Sequence, residues 1–314
     1  MEILSIKNLH KRFADKEVLR GLNMTVPENS IFGFVGKNGA GKTTTMKTVL
    51  GLLRPDEGEI TVAGEKVNYG ETATNKYIGY LPDVPEFYGF MTAREYLRFC
   101  GEITGMEKSD IKDRSKMLLD MVGLSNEKHR IKGYSRGMKQ RLGIVQALLN
   151  RPKLLICDEP TSALDPVGRK EILDILMTVR EETTVLFSTH ILSDVERICT
   201  DVAFLKDGVI TMHGKPDELR FSNRTEEYSI EFVKPSGLEK MKKAFPKMEP
   251  QSTVALRFYK TDYDFYKVLG FISENKIPII CAERVEPTLE SLFIKEVGQG
   301  DDSNTDSKNE EVQA

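Results

Sequence analysis

The first residues of the chain alternate apolar and polar side chains, with Ile3, Leu4, Ile6 and Leu9 on the apolar side, as in a strand buried on one face. At residues 30–35 the pattern becomes an unbroken apolar run, SIFGFV, which opens onto a glycine-rich stretch, residues 36–41. Met46, Val49, Leu50 and Leu53 then recur at helical spacing, and Gly51 and Pro55 close that helix. The predicted unit is strand, glycine loop, helix. Two more unbroken runs follow, LLIC at 154–157 and TVLFS at 184–188. Runs without alternation suit a parallel sheet covered on both faces. Helical segments at 139–149 and 169–180 accompany them, so an α/β core is expected. A helical patch, about 92–124, interrupts the alternation. Beyond about Phe221 the segments EYSIEFV, GLEKMKKAF, TVALRFY, YDFYKVLGFISENK, PIICAERV and TLESLFIKEV predict strand–helix–strand–helix–strand–helix, a small α+β domain over 225–297. The tail, 298–314, is almost without apolar residues and is expected to be disordered.

A length of 314 residues suits two domains. The net charge is only −3, and the tail alone carries five acids and one base, so the body is near neutral. That balance argues against general nucleic-acid binding, which depends on a basic surface. Four cysteines stand far apart with no C-x-x-C pair, which argues against a disulfide framework or zinc site and fits a reducing cytosol. Cys157 and Cys281 lie inside apolar runs and are expected to be buried thiols. The opening MEILSIKNLHKRF lacks the apolar core of a signal peptide, and no run approaches the ~20 apolar residues that span a bilayer. Any membrane role is therefore expected to pass through a partner.

The stretch Gly36-Lys37-Asn38-Gly39-Ala40-Gly41-Lys42-Thr43 matches G-x-x-x-x-G-K-[ST]. Glycines let the backbone curl so that its N–H groups face phosphate oxygens, and the following helix adds its positive end. Lys42 is expected to reach the β- and γ-phosphates of ATP, and the Thr43 hydroxyl, beside Thr44, to ligate Mg²⁺. The bland alternative is a glycine turn with an incidental lysine. Downstream, LLIC ends in Asp158-Glu159. Two acids at the end of a buried strand are costly to leave unpaired. A metal site explains them, with Asp158 holding Mg²⁺ and Glu159 polarising the attacking water as general base. A surface turn before Pro160 is the other reading.

Between these motifs lies Tyr134-Ser135-Arg136-Gly137-Met138-Lys139-Gln140-Arg141, and after them come Ser162-Ala163-Leu164-Asp165 and His190, the last just beyond the TVLFST run. In this order the motifs resemble the ATP-binding cassette (ABC) ATPases over about residues 2–215. The resemblance implies a P-loop NTPase cassette over 1–221, with a parallel-sheet core, an N-terminal β part and a helical subdomain at about 84–145. It implies two cassettes sandwiching two ATP molecules head to tail as a homodimer. Ser135 and Gly137, from the signature usually written LSGGQ, would meet the γ-phosphate of the facing copy. Asp165 would link the two sites, His190 would hold the γ-phosphate, and Phe13 would stack on adenine. Several positions depart from the family pattern. Phe13 replaces the usual tyrosine, Arg136 the first signature glycine, Met138 its glutamine, and Asp83, in IGYLPD, the Q-loop glutamine. A carboxylate at 83 can still offer an oxygen to Mg²⁺, yet cannot donate a hydrogen bond while ionised. Lys139 and Arg141 read as a solvated helix face.

The aromatic segment 84–90, VPEFYGF, falls where the family receives its membrane subunit; it serves as a partner site or packs under its own loop. One cassette, no membrane span and an added C-terminal domain resemble bacterial exporters of the bacitracin-resistance and multidrug type. Their integral membrane permease is a separate chain, and the ATPase lies on the cytoplasmic face of the membrane. Two other classes compete: a soluble ABC ATPase acting on nucleic acid or ribosomes, and a regulatory subunit that binds ATP without turnover. The C-terminal domain carries no catalytic constellation.

Overall fold

The computed structural model describes residues 1–71, 73–222 and 226–298, in two units, Met1–Pro216 and Asp217–Ala314. In the first unit, the alternating start forms β1 (Glu2–Phe13), followed by β2 (Lys16–Pro27). The apolar run forms β3 (Ile31–Gly36), buried at every residue, and the glycine loop leads into α1 (Lys42–Val49). β4 (Glu57–Val62) returns to pair with β1, and a short β5 (Glu65–Lys66) completes an antiparallel sheet of order β2-β1-β4-β5. Then come β6 (Ile78–Leu81), α2 (Ala93–Ile103), α3 (Lys108–Met121), α4 (Arg136–Leu148), β7 (Leu154–Asp158), α5 (Pro166–Val179), β8 (Thr184–Thr189), α6 (Leu192–Ile198), β9 (Asp201–Lys206), β10 (Val209–Gly214) and α7 (Pro216–Ser222).

The second sheet has the order β10-β9-β3-β8-β7-β6, parallel from β9 to β6, with β10 antiparallel at the edge. β3, β7 and β8 are buried along their whole length, the property that an unbroken apolar run encodes. The core lies between the two sheets. Phe32, Phe34, Met46 and Ile156 pack there with Leu4, Leu9, Leu19 and Leu22, each large apolar side chain contributing about 1.5–3 kcal/mol by leaving water. Adjacent parallel strands end on one side of the sheet, so the loops after β3, β7 and β8 gather there, as in other open α/β sheets. The interrupting patch is the pair α2 and α3. Thr92 starts α2 with a capping box, its hydroxyl accepting from Glu95 N while the Glu95 carboxylate accepts from Thr92 N.

The second unit takes in α7 beyond Pro216 and then β11 (Glu227–Phe232), α8 (Pro235–Ala244), β12 (Glu249–Pro250), β13 (Ala255–Tyr259), α9 (Phe265–Glu274), β14 (Ile279–Arg284) and α10 (Leu289–Gly298). Its antiparallel sheet, of order β12-β13-β11-β14, buries Ile230, Phe232, Leu256 and Phe258 against Met241, Val268 and Ile272. Cys157 is buried, whereas Cys281, expected to be, is partly exposed. β14 is an outer strand of its sheet, and its apolar residues are only half covered. The residues expected to form the disordered tail lie, beyond Gly298, outside the described residues. β2, β4, β9 and β10 were not singled out from the sequence, although β9 carries the apolar run 202–205 and β2 alternates at Leu22, Met24 and Val26. Among the described residues, no helix is long and apolar enough to cross a membrane.

Candidate functional site

The glycine loop joins β3 to α1, and its last turn depends on a residue without a side chain. Gly41 has φ +114°, and a Cβ there would stand 2.8 Å from Leu19 Cδ2 and 3.3 Å from Val18 O. Only glycine lets the loop lie this close to β2. Gly41→Ala is expected to cost about 1–3 kcal/mol of stability through backbone strain. It should also weaken nucleotide binding, and thermal melts with and without ATP would show both. Lys42, only 6% exposed, curls back over its own loop. Its Nζ donates to Gly36 O at 2.7 Å and Lys37 O at 3.3 Å, and lies 3.1 Å from Glu159 Oε1.

Register brings the acids to this lysine. Asp158 at the end of β7 pairs with Ser188 on β8. The buried Asp158 carboxylate accepts from Thr43 Oγ1 at 2.7 Å and from Ser188 Oγ at 2.6 Å. Both oxygens are thereby satisfied, as a buried charge requires. Ser188 Oγ also accepts from Glu159 N at 3.0 Å. Glu159 sits at φ +49°, a left-handed conformation that costs energy in a side-chain-bearing residue and concentrates at functional sites. Its Oε2 lies 2.9 Å from His190 Nδ1. An ionised carboxylate only accepts, so Nδ1 is the protonated nitrogen. Beneath these groups, burial and secondarily the Asp158 carboxylate push the Tyr80 phenol up to about 12, so it stays neutral.

Phe13, Asn38, Gly39, Gly41, Lys42, Thr43, Thr44, Asp83, Asp158, Glu159 and His190 line one cleft of about 460 Å³ together with Val18 and Ser162. Phe13 is 46% exposed, with Lys11 Nζ 5.2 Å from its ring centre. Gly36, Lys37 and Ala40 shape the loop from behind, Ala40 N donating to Lys37 O. Ser135, Gly137 and Asp165 do not line the cleft. Ser135 caps α4 by accepting from Met138 N, and Asp165 caps α5 by accepting from Gly168 N.

Sequence reasoning missed two residues, Ser188 and Gln140. Each is a polar residue on an apolar face, and that was the available signal. Gln140 is fully buried on α4, and its Nε2 donates to Asp83 O at 3.2 Å and Pro160 O at 3.3 Å. It ties the loop after β6 to the loop after β7. Gly143, one turn on, permits the approach, since a Cβ there would meet Leu81 Cδ1 at 2.5 Å. Gln140→Ala leaves two buried carbonyls without their donor and is expected to cost about 1–3 kcal/mol of stability. Turnover should fall more than nucleotide affinity, as denaturant titration and steady-state kinetics would show.

Two of the departures from the family pattern meet each other, Arg136 Nη2 lying 3.6 Å from Asp83 Oδ1 with both side chains about half exposed. Of the aromatic segment, Phe87 packs edge-on against Tyr96 at 5.1 Å, while Tyr88 and Phe90 remain 51% and 63% exposed. The segment is thus packed at Phe87 and exposed at Tyr88 and Phe90.

The model of the family described as "ABC transporter" matches residues 19–162. An uncharacterized ABC transporter ATP-binding protein of Bacillus subtilis, YxlF, is 44% identical over 229 residues, covering 73% of this chain and 76% of its own. The bacitracin transport ATP-binding protein BcrA of Bacillus licheniformis is 35% identical over 310 residues, covering 95% of this chain and 98% of its own. Among solved structures, an ATP-binding subunit of an ABC transporter aligns with a TM-score of 0.64 at 31% identity, over 70% of this chain and 92% of that one.

Proposed function

The chain belongs to the ATP-binding subunits of ABC transporters, and from that premise we propose how its cleft turns ATP hydrolysis into work on a separate permease. The observation that carries the reading is the convergence of Lys42, Thr43, Asp158, Glu159 and His190 on one cleft. Lys42 is held by Glu159 and by loop carbonyls. The entering triphosphate takes Lys42 from Glu159, because phosphate oxygens carry more charge and lie along the loop's N–H groups. The freed Glu159 oxygen then accepts the proton of the water that attacks the γ-phosphorus in line with the departing ADP oxygen. His190 keeps the other oxygen oriented and faces the same water. Phe13 offers its exposed ring to the adenine.

The donors in the cleft fit a hard divalent cation. Thr43 Oγ1 and Asp158 Oδ2 are 2.7 Å apart, and Asp83 Oδ1, ion-paired to Arg136 at 3.6 Å, accepts no hydrogen bond among the described residues. Thr43, Asp158 and Asp83 would hold Mg²⁺, which neutralises charge on the β- and γ-oxygens when bound. Three protein ligands are not grouped tightly enough to hold a metal alone among the described residues; phosphate oxygens complete such a site. The distance of Ser135, Gly137 and Asp165 from the cleft supports a homodimer in which each copy completes the other's site. Ser135 and Gly137 stand at the N-terminal end of a 13-residue helix, suited to a γ-phosphate.

Similarity to a bacitracin transport protein over nearly the whole chain supports export, of a peptide antibiotic or drug, from a position on the cytoplasmic face of the membrane. The deciding experiment co-expresses the chain with the multi-span proteins encoded beside it and reconstitutes them in vesicles. ATP-dependent movement of cargo away from the side bearing this chain is expected. Hydrolysis that no multi-span partner stimulates would overturn the reading.

A further inference from the structure

Asp83 belongs to two cavities at once. It lines the cleft, and it lines a second groove, of about 470 Å³, with Glu86, Phe87, Lys132, Arg136 and Lys139. Arg136 belongs to the groove and not to the cleft. It is the first residue of α4, directly after the Ser135 cap. Helix electrostatics oppose a cation there, because the N-terminal end of a helix is positive and the first turn of α4 contains no acid. The counter-charge comes instead from Asp83, whose Oδ1 lies 3.6 Å from Arg136 Nη2. That oxygen is covered by neighbouring atoms and accepts no hydrogen bond among the described residues, so the guanidinium is the charge that stabilises it. One turn further on, Gln140 Nε2 donates to the main-chain oxygen of Asp83 at 3.2 Å. Residues four apart share a helix face, so one face of α4 grips Asp83 by both side chain and backbone.

We propose that Arg136 is a positioning residue for Asp83: it withholds the carboxylate from Mg²⁺ and releases it when the first turn of α4 meets the triphosphate of a facing copy. The inference rests on the readings that Asp83 is a cation ligand and that two copies pair. A guanidinium and a divalent cation repel, so one carboxylate oxygen cannot serve both. The ion pair is weak enough to exchange, because both of its side chains are about half exposed. Phosphate oxygens at the positive end of α4 offer Arg136 a stronger, charge-assisted partner. Filling one copy's cleft and engaging the first turn of its α4 then favour each other, since coupling between two sites is reciprocal. Lys139 lines the same groove without an ion-pair partner among the described residues, and so separates the effect of this pair from that of any nearby cation.

The test uses the full chain, diluted until monomeric, and a non-hydrolysable ATP analogue titrated once with Mg²⁺ present and once with Mg²⁺ chelated. The ratio of the two affinities reads the contribution of the cation apart from that of the phosphates. Arg136→Ala should raise this ratio about two- to fivefold, the size of one exposed ion pair, and Arg136→Lys should stay nearer the native value. Asp83→Asn should lower the ratio, and adding Arg136→Ala to it should change the ratio no further. Lys139→Ala removes the same charge from the same groove and should leave the ratio as it is. In the Glu159→Gln chain, Arg136→Ala should weaken ATP-driven pairing by at least about tenfold, the worth of a charge-assisted contact. The proposal is overturned by a ratio that Arg136→Ala leaves unchanged, by the same rise with Asp83→Asn already present or in Lys139→Ala, or by native pairing without the guanidinium. A native ratio in Asp83→Asn would instead overturn the reading of Asp83 as a ligand, and a Glu159→Gln chain that never pairs would overturn the homodimer.

Discussion

Glu159→Gln is expected to leave ATP binding intact and to lower hydrolysis by about 10²–10⁴-fold, the contribution of a positioned general base. Glutamine has nearly the same shape, so the backbone at φ +49° and the bond from Glu159 N to Ser188 stay as they are. What disappears is the basicity that accepts the proton of water. The same change removes the negative charge 3.1 Å from Lys42 Nζ. ATP affinity should therefore hold or rise, since the lysine no longer has to be taken from a carboxylate. With hydrolysis blocked, the nucleotide-bound pair of chains should accumulate, visible by size exclusion in the presence of ATP. Phosphate release at the native rate would remove Glu159 from the role of base.

Lys42→Ala is expected to weaken ATP binding by roughly a hundredfold or more. Charge-assisted contacts to phosphate are worth about 1.5–3 kcal/mol each, and tenfold in affinity is about 1.4 kcal/mol. The variant should also be less stable. Lys42 is 6% exposed and Glu159's side chain 13%, so deleting the cation leaves a largely buried carboxylate supported by His190 alone. Combining Lys42→Ala with Glu159→Gln separates the two effects. Stability should recover, because no orphan charge remains, while ATP affinity should not. Melting curves and nucleotide titration on the three variants read both quantities. Unchanged ATP affinity in Lys42→Ala would mean that the loop is not a phosphate cradle.

The strands and helices nearest the chemistry were legible for a physical reason. A strand buried on both faces must be apolar throughout, and β3, β7 and β8 are. A helix starting at a phosphate loop announces itself through Gly41, Lys42 and Thr43. The alternating β1 and the strand–helix order of the C-terminal unit could be read in the same way. Shorter signals were passed over, such as the apolar run 202–205 of the interior strand β9 and the alternation of β2 at Leu22, Met24 and Val26, while the edge strand β10 is partly exposed, which relaxes the demand on composition. Cys281 failed for the same reason, since an apolar neighbourhood in sequence does not bury a residue on an outer strand.

Some relations join residues whose partners the sequence does not name. Asp83 and Arg136 are each visible as a departure from the family pattern, yet 53 positions apart in the numbering they form an ion pair, 3.6 Å across. Gln140 looks like one more polar residue in a basic helix start until α4 crosses β6 at Gly143 and delivers its amide to two loops. Ser188 becomes a bridge between Asp158 and Glu159 only through the register of β7 on β8.

By itself, then, the order of residues determined which chemistry is available: a glycine loop with one lysine and a threonine, two acids closing a buried strand, a histidine closing another. Local rules suffice there, because glycine conformation, helix-end polarity and burial periodicity act over a few residues. Only the tertiary structure decided that Lys42 lies 3.1 Å from Glu159 and that Ser135 and Asp165 lie outside the cleft their own chain builds. Those facts depend on strand order, register and helix crossing, which arise from the packing of distant segments.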